Sequence, residues 1–214
     1  MLHYPKMPDS RNCPDGRCLA FEKYDGTNLH WEWEREFGWH SFGARRDEFN
    51  LNPKEIESFE RAHPNLLGCA GLFDSTLAAG IETVFQENEN YRSFASFKVF
   101  TEFFGARSFA GMHEEDDPKE LKLFDVWVEP LGMIGPKQLV SDFGHLNTAR
   151  VVYEGKISGR FVEDVRDGKY DVQEGVVCKG GVGGSDVWMV KIKTRAYMER
   201  LKRTFAGDWE NYWE

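Results

Sequence analysis

The stretch Glu22-Lys23-Tyr24-Asp25-Gly26-Thr27-Asn28 decides how the rest of the chain is interpreted. A lysine lies two residues before an Asp-Gly turn, and apolar residues flank the stretch on both sides, a pattern typical of an amine held at the end of a strand. On an extended backbone Lys23 and Asp25 share one face, and Gly26 lets the backbone approach a ligand closely. Taken alone, the stretch is most simply an exposed hairpin with a solvated lysine. Its function therefore depends on the rest of the chain.

Composition limits the class of protein. The 214 residues, 41% of them hydrophobic, suffice for one large or two small domains with a proper core. Apolar runs are short and the first residues lack a secretory segment, so we expect no membrane span and a cytoplasmic protein. Scattered cysteines predict reduced thiols rather than disulfides. The net charge of -9 argues against non-specific coating of nucleic acid, so any such contact needs a local basic patch.

Hydrophobic periodicity predicts an α+β fold, with antiparallel strands in two sheets, helices packed outside and a cleft between the sheets. The first twenty or so residues are punctuated by proline and glycine, which predicts an irregular lead-in. The predicted strands cover 19–23, 29–34, 39–44, 97–104, 121–128, 173–179 and 187–194, and the predicted helices cover 53–62, 74–87, 158–166 and 195–205, with a short helix after 135–136.

Five short motifs follow one another on these predicted strands. They are KYDGTN at 23–28, TEFFG at 101–105, LFDVW at 123–127, EGVVCK at 174–179 and VKIKT at 190–194. In this order they resemble the covalent nucleotidyltransferase superfamily, which comprises ATP-dependent RNA and DNA ligases and RNA capping enzymes. The resemblance spans residues 20–194 and implies the ATP-grasp-like catalytic domain of a ligase, with a central nucleotide cleft. We expect a single such domain over 1–214.

The resemblance implies covalent catalysis by Lys23. In such enzymes the lysine amine attacks the α-phosphorus of ATP, releases pyrophosphate and keeps AMP through a phosphoramidate bond. An ordinary lysine is protonated at neutral pH, so we expect nearby cations, namely Lys191, Lys193 and a divalent metal, to lower the pKa of Lys23. Strand alternation puts Lys191 and Lys193 on one face, with Ile192 turned into the core. There the pair can grip the α-phosphate, although a solvated strand edge is the alternative for these two residues alone.

Acidic and aromatic motif residues acquire roles from the same resemblance. It implies that Glu174 binds Mg²⁺ or Mn²⁺, whose hard character suits carboxylate oxygens. Asp25 holds metal or steers an attacking 3′-hydroxyl in the later steps. Glu102 hydrogen-bonds the ribose hydroxyls, which explains a carboxylate in an apolar strand. Phe124 stacks on adenine, with a core aromatic as the alternative in a chain of 17 phenylalanines.

The remaining predicted contacts surround the phosphates. Arg45 matches the family arginine that contacts the nucleotide and later the 5′-phosphate, and Arg46 is the alternative, because neighbours on a strand face opposite sides. Asn28 matches an asparagine that some RNA ligases place beside the phosphates. Gly26 makes room for the nucleotide. Glu22 points to the other face of its strand and offers backbone contacts to the nucleotide.

The branch of the superfamily follows from what comes after Lys193. DNA ligases and capping enzymes carry an OB-fold there, and about twenty residues are too few for one. KYDGTN followed by TEFFG looks most like RNA ligases, so we predict an ATP-dependent RNA ligase without an OB-fold or other C-terminal domain. We expect self-adenylylation to be less impaired than strand sealing by this absence.

The predicted substrates are RNA ends with a 5′-phosphate and a 3′-hydroxyl, with a possible end-processing partner protein. A basic helix with Arg195, Arg200, Lys202 and Arg203 is either a phosphate-binding surface or a solvated face. Two other functions stay open at this point. One is a minimal DNA ligase, and the other is a non-catalytic module that binds nucleotide or RNA ends, which would not require Lys23.

Overall fold

The part of the chain that the structure describes forms two antiparallel sheets and six α-helices. The structure is a computed structural model that describes residues 4–14, 16–45, 47–107 and 113–212. The strands are β1 (Arg17–Lys23), β2 (Thr27–Glu34), β3 (Gly38–Ala44), β4 (Phe49–Asn50), β5 (Ser96–Phe104), β6 (Glu120–Val128), β7 (Gly132–Met133), β8 (Val151–Lys156), β9 (Gly175–Gly180) and β10 (Trp188–Lys193). The helices are α1 (Pro53–Ala62), α2 (Cys69–Phe73), α3 (Ala79–Glu87), α4 (Pro136–Phe143), α5 (Gly159–Arg166) and α6 (Arg195–Phe205).

Each sheet has a simple strand order. The four-stranded sheet runs β10-β9-β1-β8 and the six-stranded sheet runs β4-β3-β2-β5-β6-β7. Neighbouring strands pair antiparallel throughout both sheets. The predicted α+β class, with two antiparallel sheets and flanking helices, is therefore confirmed.

Alternation along β2 divides the six-stranded sheet into a core face and a cleft face. Trp31 and Trp33 are fully buried, and the Trp31 ring stacks on Phe73 of α2 at a centroid distance of 3.9 Å. The indole N–H of Trp31 donates to the hydroxyl of Thr101 at 2.8 Å, which satisfies a polar group inside the core. Because successive side chains point to opposite faces, His30 is directed into the cleft.

The four-stranded sheet is divided in the same way. Its outer face packs Val176 and Ile192 against Phe161 and Val165 of α5. Its inner face presents the alternate residues, among them Lys23 on β1, to the cleft. Both sheets thus bury one face under helices and share the other around one cavity.

The stretch 22–28 crosses from one sheet to the other. β1 belongs to the four-stranded sheet and β2 to the six-stranded sheet, so Asp25 and Gly26 join two sheets rather than the arms of a hairpin. A Cβ atom at Gly26 would lie 2.5 Å from the carbonyl oxygen of Phe103, so only glycine fits this crossing. The crossing places Lys23 at the end of one sheet and Asn28 at the start of the other.

The main differences from the predicted elements concern one helix and two strands. The helix predicted over 74–87 begins earlier, at Cys69, and a π-helical turn (Asp74–Ala78) joins α2 to α3. Its start has no side-chain cap, since Gly68 precedes it, so the usual sequence signal is missing. β9 begins at Gly175 rather than 173. β8 was not predicted, because its half-exposed pattern at a sheet edge gives little hydrophobic signal.

Candidate functional site

A cavity of about 420 Å³ lies between the two sheets, a size suited to a small-molecule ligand. Every predicted site residue that the structure describes lines it. These residues are Glu22, Lys23, Asp25, Gly26, Asn28, Arg45, Glu102, Phe124, Glu174, Lys191 and Lys193. Arg46 lies outside the described residues. The cavity thus gathers residues from six separate segments of the chain.

Glu174 connects the two lysines of the cleft. Its Oε2 accepts a hydrogen bond from Nζ of Lys23 at 2.8 Å, and its Oε1 lies 3.1 Å from Nζ of Lys193. Strand register explains the arrangement, since Gly175, the next residue, pairs with Lys23 on one side and Lys193 on the other. Glu174 is 3% exposed, so its charge is compensated by these two ammonium groups.

The pKa of Lys23 is raised, whereas the sequence analysis expects it to be lowered. Burial acts to lower this pKa, but the negative charges of Glu174, Glu102 and Asp25 outweigh burial and raise it above its ordinary value. The lowering expected from Lys191 and Lys193 is therefore not found, and the lowering expected from a divalent metal stays a prediction. Lys193 behaves oppositely: burial, helped by the charge of Lys23, lowers its pKa despite the partner Glu174.

Carboxylates crowd the same end of the cleft. Burial, together with the charges of Glu174 and Asp25, raises the pKa of Glu102 to about 8, although Lys23 opposes the shift. Burial likewise raises the pKa of Asp25 to about 6, against the lowering effect of a hydrogen bond from Tyr197. Burial is the main cause of both raised values, and a cation placed beside these two carboxyl groups would favour their charged forms.

Tyr197 is a contact of the site that the sequence did not reveal. Its hydroxyl donates to Oδ1 of Asp25 at 2.9 Å, and both residues are 1% exposed. Thr194 caps α6 by accepting from the N–H of Tyr197, and Tyr197, in the first turn of this helix, lines the cleft. The sequence Lys191-Ile192-Lys193-Thr194 before a predicted helix indicates that the helix starts near the cleft. It does not indicate the contact of Tyr197, whose partner Asp25 lies 172 residues away in the sequence.

A divalent cation fits the donors at this end of the cleft. Oδ2 of Asp25 is buried and accepts no hydrogen bond from any residue that the structure describes. Asp25 and Glu174 offer the hard oxygen atoms that Mg²⁺ and Mn²⁺ prefer. A separate group, His30, Glu32 and Glu48, has ligand atoms within 4.8 Å of one another, and Lys98 pairs with Glu32 there as Lys23 and Lys193 pair with Glu174 here. The Asp25 end of the cleft therefore keeps an oxygen that suits a metal.

The aromatic end of the cleft is built around Phe124. The neighbouring Asp125 forms a buried ion pair with Lys179 at 2.7 Å, and Nζ of Lys179 also donates to the carbonyl oxygen of Phe124 at 2.7 Å. Burial lowers the pKa of Lys179 against the charge of Asp125. These contacts tie β6 to β9 across the cleft. Sequence reasoning assigned no role to Asp125 or Lys179, although both belong to the motifs.

Arg45, Asn28 and Glu22 complete the wall. Asn28 lies opposite Glu102 in the register of β2 and β5. The carboxylate of Glu22 accepts from Nε of Arg150 at 2.9 Å, and its N–H donates to the carbonyl of the same arginine at 2.8 Å. Glu22 therefore anchors β1 to the loop before β8, a contact that the sequence did not predict.

We expect Glu102→Gln to stabilise the ligand-free protein at alkaline pH. With a folded-state pKa of about 8, Glu102 keeps its proton while the unfolded chain loses it, so stability falls as pH rises from the ordinary glutamate pKa to about 8. Glutamine removes this loss. The melting temperature should rise by about 4 °C or more at pH 8 and change little at pH 5.

Exposed Glu57 on α1 provides the control for this comparison. Glu57→Gln should change the melting temperature by less than about 1 °C at both pH values. An equal effect of Glu102→Gln at pH 5 and pH 8 would show that ionisation of Glu102 is not the cause.

Solved structures share this fold at low sequence identity. A Naegleria gruberi RNA ligase variant with ATP and Mn superimposes with a TM-score of 0.61 and 14% identity, covering 93% of this chain and 58% of that chain. The same ligase with PPi superimposes with a TM-score of 0.60 and 13% identity, covering 94% of this chain and 58% of that chain. An archaeal ATP-dependent RNA ligase superimposes with a TM-score of 0.57 and 15% identity, covering 96% of this chain and 52% of that chain. No family sequence model and no curated protein matches the chain.

The chain therefore shares its fold with RNA ligases of known structure. The chain spans little more than half the length of these neighbours. Among the described residues, no helix is both long and apolar enough to cross a membrane.

Proposed function

We propose that the chain is an ATP-dependent RNA ligase catalytic domain. It adenylylates Lys23, transfers AMP to a 5′-phosphate RNA end and seals that end to a 3′-hydroxyl. One observation carries the proposal: the amine of Lys23 lies in a nucleotide-sized cleft, 2.8 Å from Glu174, with Lys193 on the other oxygen of the same carboxylate. A pocket that only binds nucleotide does not require this nucleophile.

The residues of the cleft divide the first step among them. Nζ of Lys23 bonds to the α-phosphorus of ATP as the bond to pyrophosphate breaks. Lys191 and Lys193 stabilise the charge that develops on the phosphate. Glu102, whose pKa is about 8, keeps a proton near neutral pH, so it donates to as well as accepts from the ribose hydroxyls. Phe124 stacks on the base.

Lys23 has to lose a proton before it attacks. The surrounding carboxylates hold its pKa up in the ligand-free site, so positive charge entering with the nucleotide complex opposes them. A divalent cation held by Asp25 and Glu174 would supply such charge beside the phosphates. Activation of the nucleophile is in this way coupled to substrate binding.

The test is covalent labelling of the wild-type protein. Incubation with α-labelled ATP and Mg²⁺ or Mn²⁺ should leave acid-labile label on the chain after denaturing electrophoresis, whereas parallel reactions with GTP and NAD should not. ATP binding without an adduct would favour the non-catalytic module. Nicked duplexes with RNA or DNA on the 3′-hydroxyl side then separate an RNA ligase from a minimal DNA ligase.

The basic face of α6 provides a prediction about RNA binding. Neutralising Arg200, Lys202 and Arg203 together should weaken RNA binding and lower the salt-dependence slope by about 0.7 for each phosphate that the helix no longer neutralises. A fluorescence titration over a salt series measures both quantities.

A charge-matched variant controls for net charge. Lys54, Arg61 and Arg92 are equally exposed cations outside the set that lines the cleft. Their neutralisation should leave the slope unchanged. The same slope in the α6 variant and the wild type would assign that helix to the solvated surface.

A further inference from the structure

The segment Tyr4 to Pro8, called here the N-terminal strap, forms part of the cleft wall. Sequence reasoning treated it as an irregular lead-in. In the structure its first four residues, Tyr4, Pro5, Lys6 and Met7, line the same cavity as Lys23 and Phe124. The strap therefore touches the space in which a nucleotide would bind.

One end of the strap is fixed to β10. The carbonyl oxygen of Pro8 accepts from the N–H of Lys191 at 3.0 Å, and Asp9 forms a parallel β-bridge with the same lysine. The side chain of Asp9 caps the short helix that follows by accepting from the N–H of Arg11 at 2.9 Å. This end is thereby attached to the strand that carries the two phosphate-binding lysines.

The other end of the strap reaches the aromatic end of the cleft. The Tyr4 ring makes edge contacts with Phe100 at 5.0 Å and Phe124 at 5.2 Å between centroids. Its hydroxyl donates to Asp125 and lies 3.0 Å from the sulfur of Met189 on β10. Tyr4 thus contacts both sheets.

We propose that Tyr4 is a positioning residue for the base end of a purine nucleotide site. The inference rests on the proposed function, because it takes Phe124 as the stacking surface. The edge contact with Tyr4 leaves the ring of Phe124 less freedom to rotate. The hydroxyl of Tyr4 also bonds Asp125, which pairs with Lys179. Lys179 in turn donates to the carbonyl oxygen of Phe124. The strap acts by fixing the ring on which the base stacks.

Equilibrium binding separates this role from general support of the fold. The probes are an ATP analogue with a methylene group between the α- and β-phosphates, AMP and inorganic tripolyphosphate. Tyr4→Ala should lower the affinity for the analogue and for AMP about tenfold, which is the scale of removing one aromatic pair. The affinity for tripolyphosphate should not change. Tyr4→Phe keeps the ring, so we expect affinity to fall only about threefold.

Tyr170 supplies the matched control. It is partly buried and packs on Phe161, outside the residues that line the cleft. Tyr170→Ala should leave all three affinities unchanged. In a Phe124→Leu background the effect of Tyr4→Ala should largely disappear, because the two residues act through one contact.

Several outcomes overturn the inference. Unchanged affinity in Tyr4→Ala, equal weakening of all three probes, or full additivity with Phe124→Leu each removes the positioning role. Tighter analogue binding in Tyr4→Ala would mean that the strap occupies the base site instead. If the wild type forms an adduct but Tyr4→Ala binds normally, only this inference fails. If the wild type neither binds nucleotide nor takes up label, the proposed function fails with it.

Discussion

Lys23→Ala is expected to reduce covalent labelling by ATP to less than about one-thousandth of the wild-type level, since no other group replaces an attacking nucleophile. Lys193 also contacts Glu174, but it lies at the end of a different strand, β10, and pairs with the other carboxylate oxygen. It shares a strand face with Lys191, so the proposed function gives it a phosphate contact and gives the attack to Lys23. Quantified label after acid-free denaturing electrophoresis measures the reduction.

Lys23→Arg tests the same point with the charge retained. The guanidinium keeps a cation beside Glu174 but forms no phosphoramidate, so labelling should again disappear while the melting temperature stays within about 2 °C of the wild type. Lys137→Ala, which removes a lysine that is 79% exposed, should label normally. Retained labelling in both Lys23 variants would place the nucleophile elsewhere.

Local pattern was enough to predict most elements of the fold. In the predicted strand 29–34, Trp31 and Trp33 alternate with His30, a pattern typical of a strand with one buried and one polar face, and the structure places these side chains on such faces. Asn52-Pro53 is a typical start of a helix, with a capping side chain before a proline, and α1 begins at Pro53 with Asn52 as its cap. In each case the decisive information lies within a few neighbouring residues.

The candidate site was predictable as a set of residues but not as a set of contacts. Lys191 and Lys193 line the cleft, while Ile192 faces the core, as strand alternation requires. The sign of the pKa shift of Lys23 was not predictable, because it depends on how closely Glu174 and Glu102 approach from other strands. Such distances are set by packing between sheets and leave no local trace in the sequence.

The contacts of Tyr4, Tyr197 and Arg150 were missed for the same reason. Each joins segments more than a hundred residues apart. A tyrosine in a proline-rich lead-in has no periodic pattern that distinguishes a cleft wall from a loose end. Only the fold brings these side chains to the motif residues.

Glu174→Gln is expected to lower labelling by about a hundredfold, the cost of misplacing a reacting group by about 1 Å. The change preserves shape but removes the charge that holds Lys23 and Lys193 in place. It also removes the strongest charge that raises the pKa of Lys23, so more of the amine is unprotonated at neutral pH. These two consequences act on labelling in opposite directions.

The direction of the measured change therefore decides which role of Glu174 dominates. If proton loss from Lys23 limited the reaction, Glu174→Gln would label faster than the wild type near neutral pH. We expect slower labelling, because positioning of the two lysines and binding of a cation outweigh a gain in free amine. Glu163→Gln is the matched control, since Glu163 also bridges two cations, Arg166 and Arg195, but at the surface, where ion pairs contribute little. An equal reduction of labelling in the two variants would show that Glu174 acts only as a structural ion pair.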